Sequence, residues 1–375
     1  GAEFIHGNLE TTLRLLKEYK IKTMPAIGQV WQLRFGESEK EKELIPDYHD
    51  LLSRKLKAVK RDLPLKKFLD VHFKDAKFTS LRIAVKGFVE GYESADLEDF
   101  STIAFREEWH AAEDWQQSRI QGGYGALLSA LEKDCRHNGC RFIFSSVVTK
   151  IKWQHHAVDI QCKNGKQFHA RQVLVTMPLG VLQSNAIQFS PALPAKKKAF
   201  KALGFGDVIK ILLLFDSSFW KEKEIQDRVG EKLKKLFFIF SNEELPTWWT
   251  QNPSSSSLLT GWLSGPKAKR WSTFTDREIL DKAIHSLASI FQTEDKMLRS
   301  KLKSWKVVNW SADEFTQGSY TYSTVNAAQH RASAGKPEKD TLYFAGEHLA
   351  EEPGTVEAAL KSGLKTPAVI LKKSK

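Results

Sequence analysis

The sequence predicts a two-domain α/β protein. Three observations carry this reading. The chain has 375 residues, more than one ordinary core organises, so two domains or one domain with a large insertion are expected. Strand-like apolar runs gather between residues 141 and 263, with helix-like patterns on both sides. The chain then closes on a strand–loop–helix unit at 341–364.

The elements follow in order. Residues 10–20 have Leu13, Leu16 and Tyr19 on one face of a helix. Residues 39–75 are charged, with Leu51, Leu52, Leu56 and Val59 at helical intervals, and the helical insertion continues through 88–109. Gly122-Gly123-Tyr124-Gly125 opens a helix over 126–138. Strands are expected at 141–144, 147–153 and 157–162, a hairpin turn at Asn164-Gly165, and another strand at 168–176. The runs 208–215, 236–240 and 258–263 read as strands. Residues 276–291 form an amphipathic helix carrying Ile279, Leu280, Ala283, Leu287 and Phe291.

Composition excludes several classes. Hydrophobic residues make up 41% and mean hydropathy is −0.39, which describes a soluble globular chain. No apolar run approaches the roughly 18 residues that a membrane span needs. The net charge of +12 invites a nucleic-acid reading, but the lysines are dispersed, no recognition motif accompanies them, and runs such as 196–198 read as solvated surface. Cys135, Cys140 and Cys162 are an odd, sparse set without zinc-type spacing, which fits a reducing, cytoplasmic setting and no bound metal.

Two stretches carry chemistry. In residues 342–363, LYFAGEHLAEEPGTVEAALKSG, a strand stops at Gly346-Glu347 and a helix begins behind Gly354 and Thr355. The free N–H groups of such a helix start favour a negative partner, and Glu347 is an acceptor for a sugar-like hydroxyl. Together they suggest a nucleotide-like cofactor; an ordinary capped βα unit is the alternative. In residues 204–220, GFGDVIKILLLFDSSFW, strand alternation points Lys210 the same way as Val208, Leu212 and Leu214. Buried there, the lysine needs a partner and is placed for proton chemistry. The alternative is a lysine that snorkels to water from the strand start.

These segments resemble the flavin-containing amine oxidase family, which includes monoamine oxidases, polyamine oxidases and flavin-dependent histone lysine demethylases. Residues 342–363 look like its C-terminal flavin motif, and 204–220 match the segment with its active-site lysine. VLVTMPLGVL at 173–182 looks like its central segment, and GAEFIHG at 1–7 like the stretch following its R-G-G-R motif. The resemblance covers nearly the whole chain.

It implies an α/β, FAD/NAD(P)-binding-like flavoprotein with two domains. The FAD domain is discontinuous (1–24, 118–190 and 335–375), and a mixed-sheet plus helical substrate domain takes 25–117 and 191–334. It implies non-covalent FAD, since no cysteine lies near Tyr320. Carried over, Glu347 and Gly346 lie at the ribityl chain, and Gly354, Thr355 and the Val356 N–H at the flavin ring. Val148 lies at the adenine, Trp310 near the flavin, and Lys210 holds a water near flavin N5. His6, Tyr320 and Glu352 lie on the substrate side. The implied reaction oxidises a small-molecule amine to an imine, then an aldehyde or ketone, while O2 becomes hydrogen peroxide.

Two departures stand out. The family's N-terminal βαβ unit with G-x-G-x-x-G does not occur, so the sequence reads as beginning after it. Glu352 stands where the family often has an aromatic amine-cage residue, and it suits a distal ammonium or is a solvated loop carboxylate. An inactive flavoprotein-like scaffold without FAD is the alternative function; a flavin oxidase of an amino acid or a C–C bond is a third.

Overall fold

The computed structural model describes residues 1–34, 37–39, 48–111 and 117–373. Its largest sheet is organised by the run VIKILLLF. Val208–Phe215 pairs antiparallel with Leu258–Ser264 on one side and Leu302–Asn309 on the other. Thr247–Thr250, Leu236–Phe240, Gln29–Arg34 and Glu37–Glu39 extend the sheet to seven strands. The alternation separates two faces. Ile209, Ile211, Leu213 and Phe215 are at most 1% exposed and pack on Ile279, Leu280, Ala283, Ile284 and Leu287. Those residues belong to the helix Asp276–Ile290, whose start is closed by a reciprocal capping box between Thr275 and Glu278. The opposite face of the strand grades from buried Val208 and Lys210 to Leu214, which is 38% exposed.

The expected helical insertion is four helices: His49–Lys57, Leu65–His72, Thr79–Gly91 and Thr102–Ala111. They enclose a second core around Leu52, Leu56, Phe68, Phe73, Val85 and Phe105. The first residues of the predicted 39–75 helical stretch depart from it. Glu37–Glu39 is a strand, and 40–47 lie outside the described residues.

A four-stranded sheet runs in the order Gln188–Ser190, Val148–Gln154, Ala157–Cys162, Gln167–Ala170. The expected strand 168–176 divides in two. Its first part pairs with Ala157–Cys162, and Val173–Val175 leaves to pair in parallel with Leu342–Phe344. The expected strand 141–144 does not form. Phe142, Ile143 and Phe144 are exposed, and no described strand runs alongside to take their backbone hydrogen bonds. The lysine run 196–198 is not uniformly solvated either. Lys196 is 2% exposed, because its ammonium caps the helix Ala327–Gly335 by donating to the carbonyls of Ser333, Ala334 and Lys336. Among the described residues no helix is long and apolar enough to cross a membrane.

The N-terminal and C-terminal segments are joined by one carboxylate. The strand Phe4–His6 pairs with Gln117–Ile120, which also pairs with Thr23–Pro25. The helix Glu10–Glu18 follows and lies against the helix Val356–Lys373. Glu357, only 3% exposed, accepts from Thr11 N–H at 2.9 Å, Thr12 N–H at 2.8 Å and the Thr12 hydroxyl at 2.8 Å. It therefore caps a helix from another part of the chain, and these bonds outweigh the cost of its burial and hold its carboxyl below the usual range. Glu357→Ala should cost about 2–3 kcal/mol in urea unfolding, and Glu357→Gln distinctly less, because an acceptor remains. Equal losses would show that the acceptor is not what matters.

Candidate active site

Lys210 is where the strand pattern places it, on the face opposite the main core, and it does not snorkel. It is 8% exposed, and its Nζ lies 2.9 Å from Glu3 Oε2, with the Gly1 carbonyl at 3.4 Å. The ammonium also stands 5.2 Å from the Trp249 ring centroid. Glu3 Oε1 accepts from the Trp249 indole at 3.0 Å and lies 3.3 Å from Arg119 Nη2. Arg119 in turn donates to the carbonyls of Asn252 at 2.7 Å and Thr250 at 2.9 Å. Burial alone would raise Glu3; Lys210, the Trp249 N–H and Arg119 overcome it and hold the carboxyl below its ordinary range. The aromatic wall beside this network is Phe4, with Phe237, Phe238 and Trp249 at ring-centroid distances of 6.0, 5.8 and 5.8 Å.

The C-terminal turn is a second construction. Glu347 Oε1 accepts from the Thr321 hydroxyl and Oε2 from the Gly354 N–H, each at 2.7 Å. Burial raises the Glu347 carboxyl, and these bonds oppose the rise. Gly354 has φ +84, and a Cβ there would meet the Thr321 carbonyl at 3.0 Å and the Tyr320 ring at 3.3 Å. Only glycine fits both conditions. The Thr355 hydroxyl accepts from Ala358 N–H at 3.0 Å. None of the described residues accepts from the Val356 N–H at the start of an 18-residue helix. That donor and the helix dipole can meet an electron-rich edge of a cofactor. Gly346 opens the short helix Glu347–Leu349 beside the buried His348 ring, whose pKa burial lowers to about 4.

Tyr320 joins the two constructions. Its ring faces Gly354, its carbonyl accepts from Gly206 N–H at 2.9 Å ahead of the lysine strand, and its hydroxyl donates to the Tyr92 carbonyl. The Tyr92 ring lies 5.8 Å from His6, which burial keeps below its usual pKa. Trp310 packs its ring against Gly1 and donates its backbone N–H to Val208 at 3.1 Å. So Lys210, His6, Tyr320, Trp310, Glu347 and Gly354–Val356 belong to one region. Val148 stands apart, at the head of its strand in the four-stranded sheet and opposite Cys162.

Sequence reasoning singled out Glu352 but missed the other acidic members, Glu3, Glu93 and Glu108. Glu93 is 9% exposed and interacts with half-buried Glu108; Glu352, on the exposed loop before Gly354, acts electrostatically on Glu108. Burial pushes both Glu93 and Glu108 up; Glu108 raises Glu93 further, and Glu352 and Glu107 raise Glu108 against the lowering effect of its hydrogen bond with Glu93, so the pair retains a proton where a solvated carboxyl has lost it. Glu3 was detectable, since strand alternation puts it on the face of buried Ile5. Glu93 and Glu108 had no such periodic signal.

A carboxyl raised by folding stabilises fully below its unfolded pKa, and that stability is lost as pH rises through the folded value. The Glu93–Glu108 pair therefore makes the protein less stable as pH rises above the ordinary carboxyl range towards the raised folded value. Glu93→Gln should flatten that decline, with a Tm gain at pH 8 of roughly a few degrees and little change at pH 5. A thermal-shift series checks this, and parallel curves for the two proteins would contradict it.

Comparison with known proteins adds to this geometry. The family model for flavin-containing amine oxidoreductases matches residues 26–371. Lysine-specific histone demethylase 1 homolog 1 of Arabidopsis thaliana is 29% identical over 260 residues, covering 68% of this chain and 29% of that protein. Polyamine oxidase 4 of Oryza sativa subsp. japonica is 29% identical over 272 residues, covering 69% of this chain and 53% of its own length. The chain thus spans about half or less of these two relatives. Among solved structures, a putrescine oxidase variant redesigned at its cofactor site has a TM-score of 0.77 at 19% identity, covering 100% of this chain and 88% of that one. Cyclohexylamine oxidase from Brevibacterium oxydans IH-35A also has a TM-score of 0.77, at 18% identity, covering 100% and 87%. The two-domain α/β flavoprotein architecture expected from the sequence is the fold of these enzymes. With the family model matching almost its whole length, the chain belongs to the flavin-containing amine oxidoreductases.

Proposed function

We propose that this chain takes part in FAD-dependent oxidation of an amine to an imine, which water hydrolyses to an aldehyde or ketone while O2 is reduced to hydrogen peroxide. The observation that carries the proposal is a buried, carboxylate-paired lysine on the strand whose entry, at Gly206, is bonded to Tyr320, the residue that packs against Gly354 at the open helix start. The residues fit the ring end of FAD. The Val356 N–H offers an unused donor, Gly354 leaves the turn without a side chain, and Glu347 keeps lone pairs beyond the two it uses.

FAD supplies the electron-pair acceptor. The protein's part is to bind, orient and exclude water. Val356 and Thr355, at the helix start, would hold the pyrimidine edge and favour negative charge there. Glu347 and Gly346 would lie along the ribityl chain, Trp310 beside the flavin, and the Val148 backbone at the adenine. Segments 1–24, 118–190 and 335–375 would form the FAD domain. Lys210, held in place by Glu3, would donate to a water and hold it for the hydrolysis or oxygen step. Neutral His6 and Tyr320 would form the amine-facing wall, where a neutral amine loses less solvation than an ammonium.

The acidic group Glu352, Glu93 and Glu108 favours an amine with a second cationic centre. A distal ammonium beside Glu352 and Glu108 would be met by charge and would release the proton that the buried pair retains. The overall charge of +12 opposes polycations at long range, so this local field decides the preference. Relatives named polyamine oxidase and putrescine oxidase point the same way. A basic side chain of a peptide fits the same chemistry.

Protein incubated with FAD should show a bound-flavin absorbance band that bleaches anaerobically with a diamine, and less readily with a monoamine. Air should restore the band with peroxide release. A band that no amine bleaches would contradict the oxidase reading, and the absence of any band would favour the inactive scaffold without FAD. Lys210→Met should retain flavin while slowing turnover or reoxidation about tenfold or more. Unchanged kinetics would remove Lys210 from the mechanism.

A further inference from the structure

The helix Tyr124–His137 ends in a Schellman motif, and its side-chain pair is unusual. Gly139 takes φ +84 and donates its N–H to the Arg136 carbonyl at 3.1 Å, while Cys140 N–H donates to the Cys135 carbonyl at 2.9 Å. This backbone pattern brings the side chains of the third-last position and the second residue past the cap together, ordinarily as an apolar contact. Here both are cysteines. Both thiols are free; Cys135 is half-buried and Cys140 exposed. The two are close enough that, after burial, Cys140 contributes to holding the Cys135 thiol above its ordinary range. Cys140 lies in a shallow groove with Arg136, Arg141 and Lys166. Cys140 is the exposed thiol of the two, the one that peroxide reaches from solvent. Cys135 is therefore suited to the second step and Cys140 to the first.

We propose that Cys135 and Cys140 form a reversible dithiol–disulfide site oxidised by hydrogen peroxide. The Cys140 thiolate attacks one peroxide oxygen. An S–O bond forms, the O–O bond breaks, and the departing hydroxide takes up a proton, leaving a sulfenic acid and water. Cys135 then attacks the sulfenic sulfur. The S–S bond forms, the S–O bond breaks, and the proton lost by Cys135 leaves with the hydroxide as a second water. The pair gives up two electrons and two hydrogens, and peroxide is reduced to two waters. An external thiol reverses the process by exchange. The cap already holds the two backbones in register, so closure leaves the helix wound. The disulfide would fix the start of the 141–147 segment, which leads directly to Val148. The site needs peroxide from any source and does not rest on the oxidase reading.

The test treats the full chain with hydrogen peroxide, blocks remaining thiols with an alkylating agent, and maps peptides by mass. The expected product is a peptide pair joined at Cys135 and Cys140, lighter by two hydrogens and released by dithiothreitol. Cys162, 7% exposed in the four-stranded sheet, should stay available to alkylation after unfolding. Cys135→Ser should strand Cys140 as a sulfenic acid, with dimedone labelling several-fold above wild type. Cys140→Ser should leave Cys135 unoxidised. Over-oxidation of Cys140 in the wild type with Cys135 still alkylatable would overturn the proposal. So would oxidation of Cys162 ahead of either.

Discussion

The Glu347 carboxylate is the constraint on which the site depends. One oxygen takes the Thr321 hydroxyl and the other takes the Gly354 N–H. Thr321 pairs with Phe205, and Gly206 bonds to both Ser319 and Tyr320, so this segment is bound to the entry of the strand that carries Lys210. The carboxylate therefore sets the helix start of Val356–Lys373 relative to the lysine. Losing it would leave a buried hydroxyl and a buried N–H without their acceptor. The same helix is fixed a second time, by Glu357 on the start of Glu10–Glu18. Two carboxylates thus hold the C-terminal helix to the strand leading to Lys210 and to the N-terminal helix.

The buried charges fall into three kinds, which do different things. Lys196 donates to helix-end carbonyls, with Glu338 at 3.4 Å, and it acts as a helix cap. Glu93 and Glu108 have no cation in contact among the described residues and answer by keeping a proton. Glu3 lies between two cations, Lys210 and Arg119, and stays ionised. Buried ion pairs add little net stability, because desolvation offsets most of the Coulombic gain. The Glu3 network is better understood as a device that fixes the position of the Lys210 side chain beside an aromatic wall.

The parts of this arrangement legible in the sequence were those governed by local rules. The strand Val208–Phe215 was readable because eight apolar-rich residues carry one lysine in strict alternation, and its observed limits coincide with the expected ones. The helix Asp276–Ile290 and the Gly354-Thr355 start were readable from period and capping chemistry. What the sequence concealed depends on neighbours distant along the chain. Residues 141–144 have strand composition yet stay exposed for want of a described partner strand. Residues 168–176 look like one strand but serve two sheets. Lys196 looks like one of three solvated lysines until the end of Ala327–Gly335 reaches it. The Glu93–Glu108 pair joins the region after one helix to the body of the next, and no spacing rule marks such a meeting.

The central claim is that the turn at Gly354 is shaped by its missing side chain to receive a flavin ring in front of the Val356 N–H. Calorimetric titration of FAD into wild-type protein and Gly354→Val tests it most directly, with circular dichroism confirming that both are folded. The account predicts saturable binding to the wild type and its loss in the variant, whose added side chain would collide with Thr321 and Tyr320. Equal affinity in the two folded proteins would contradict it.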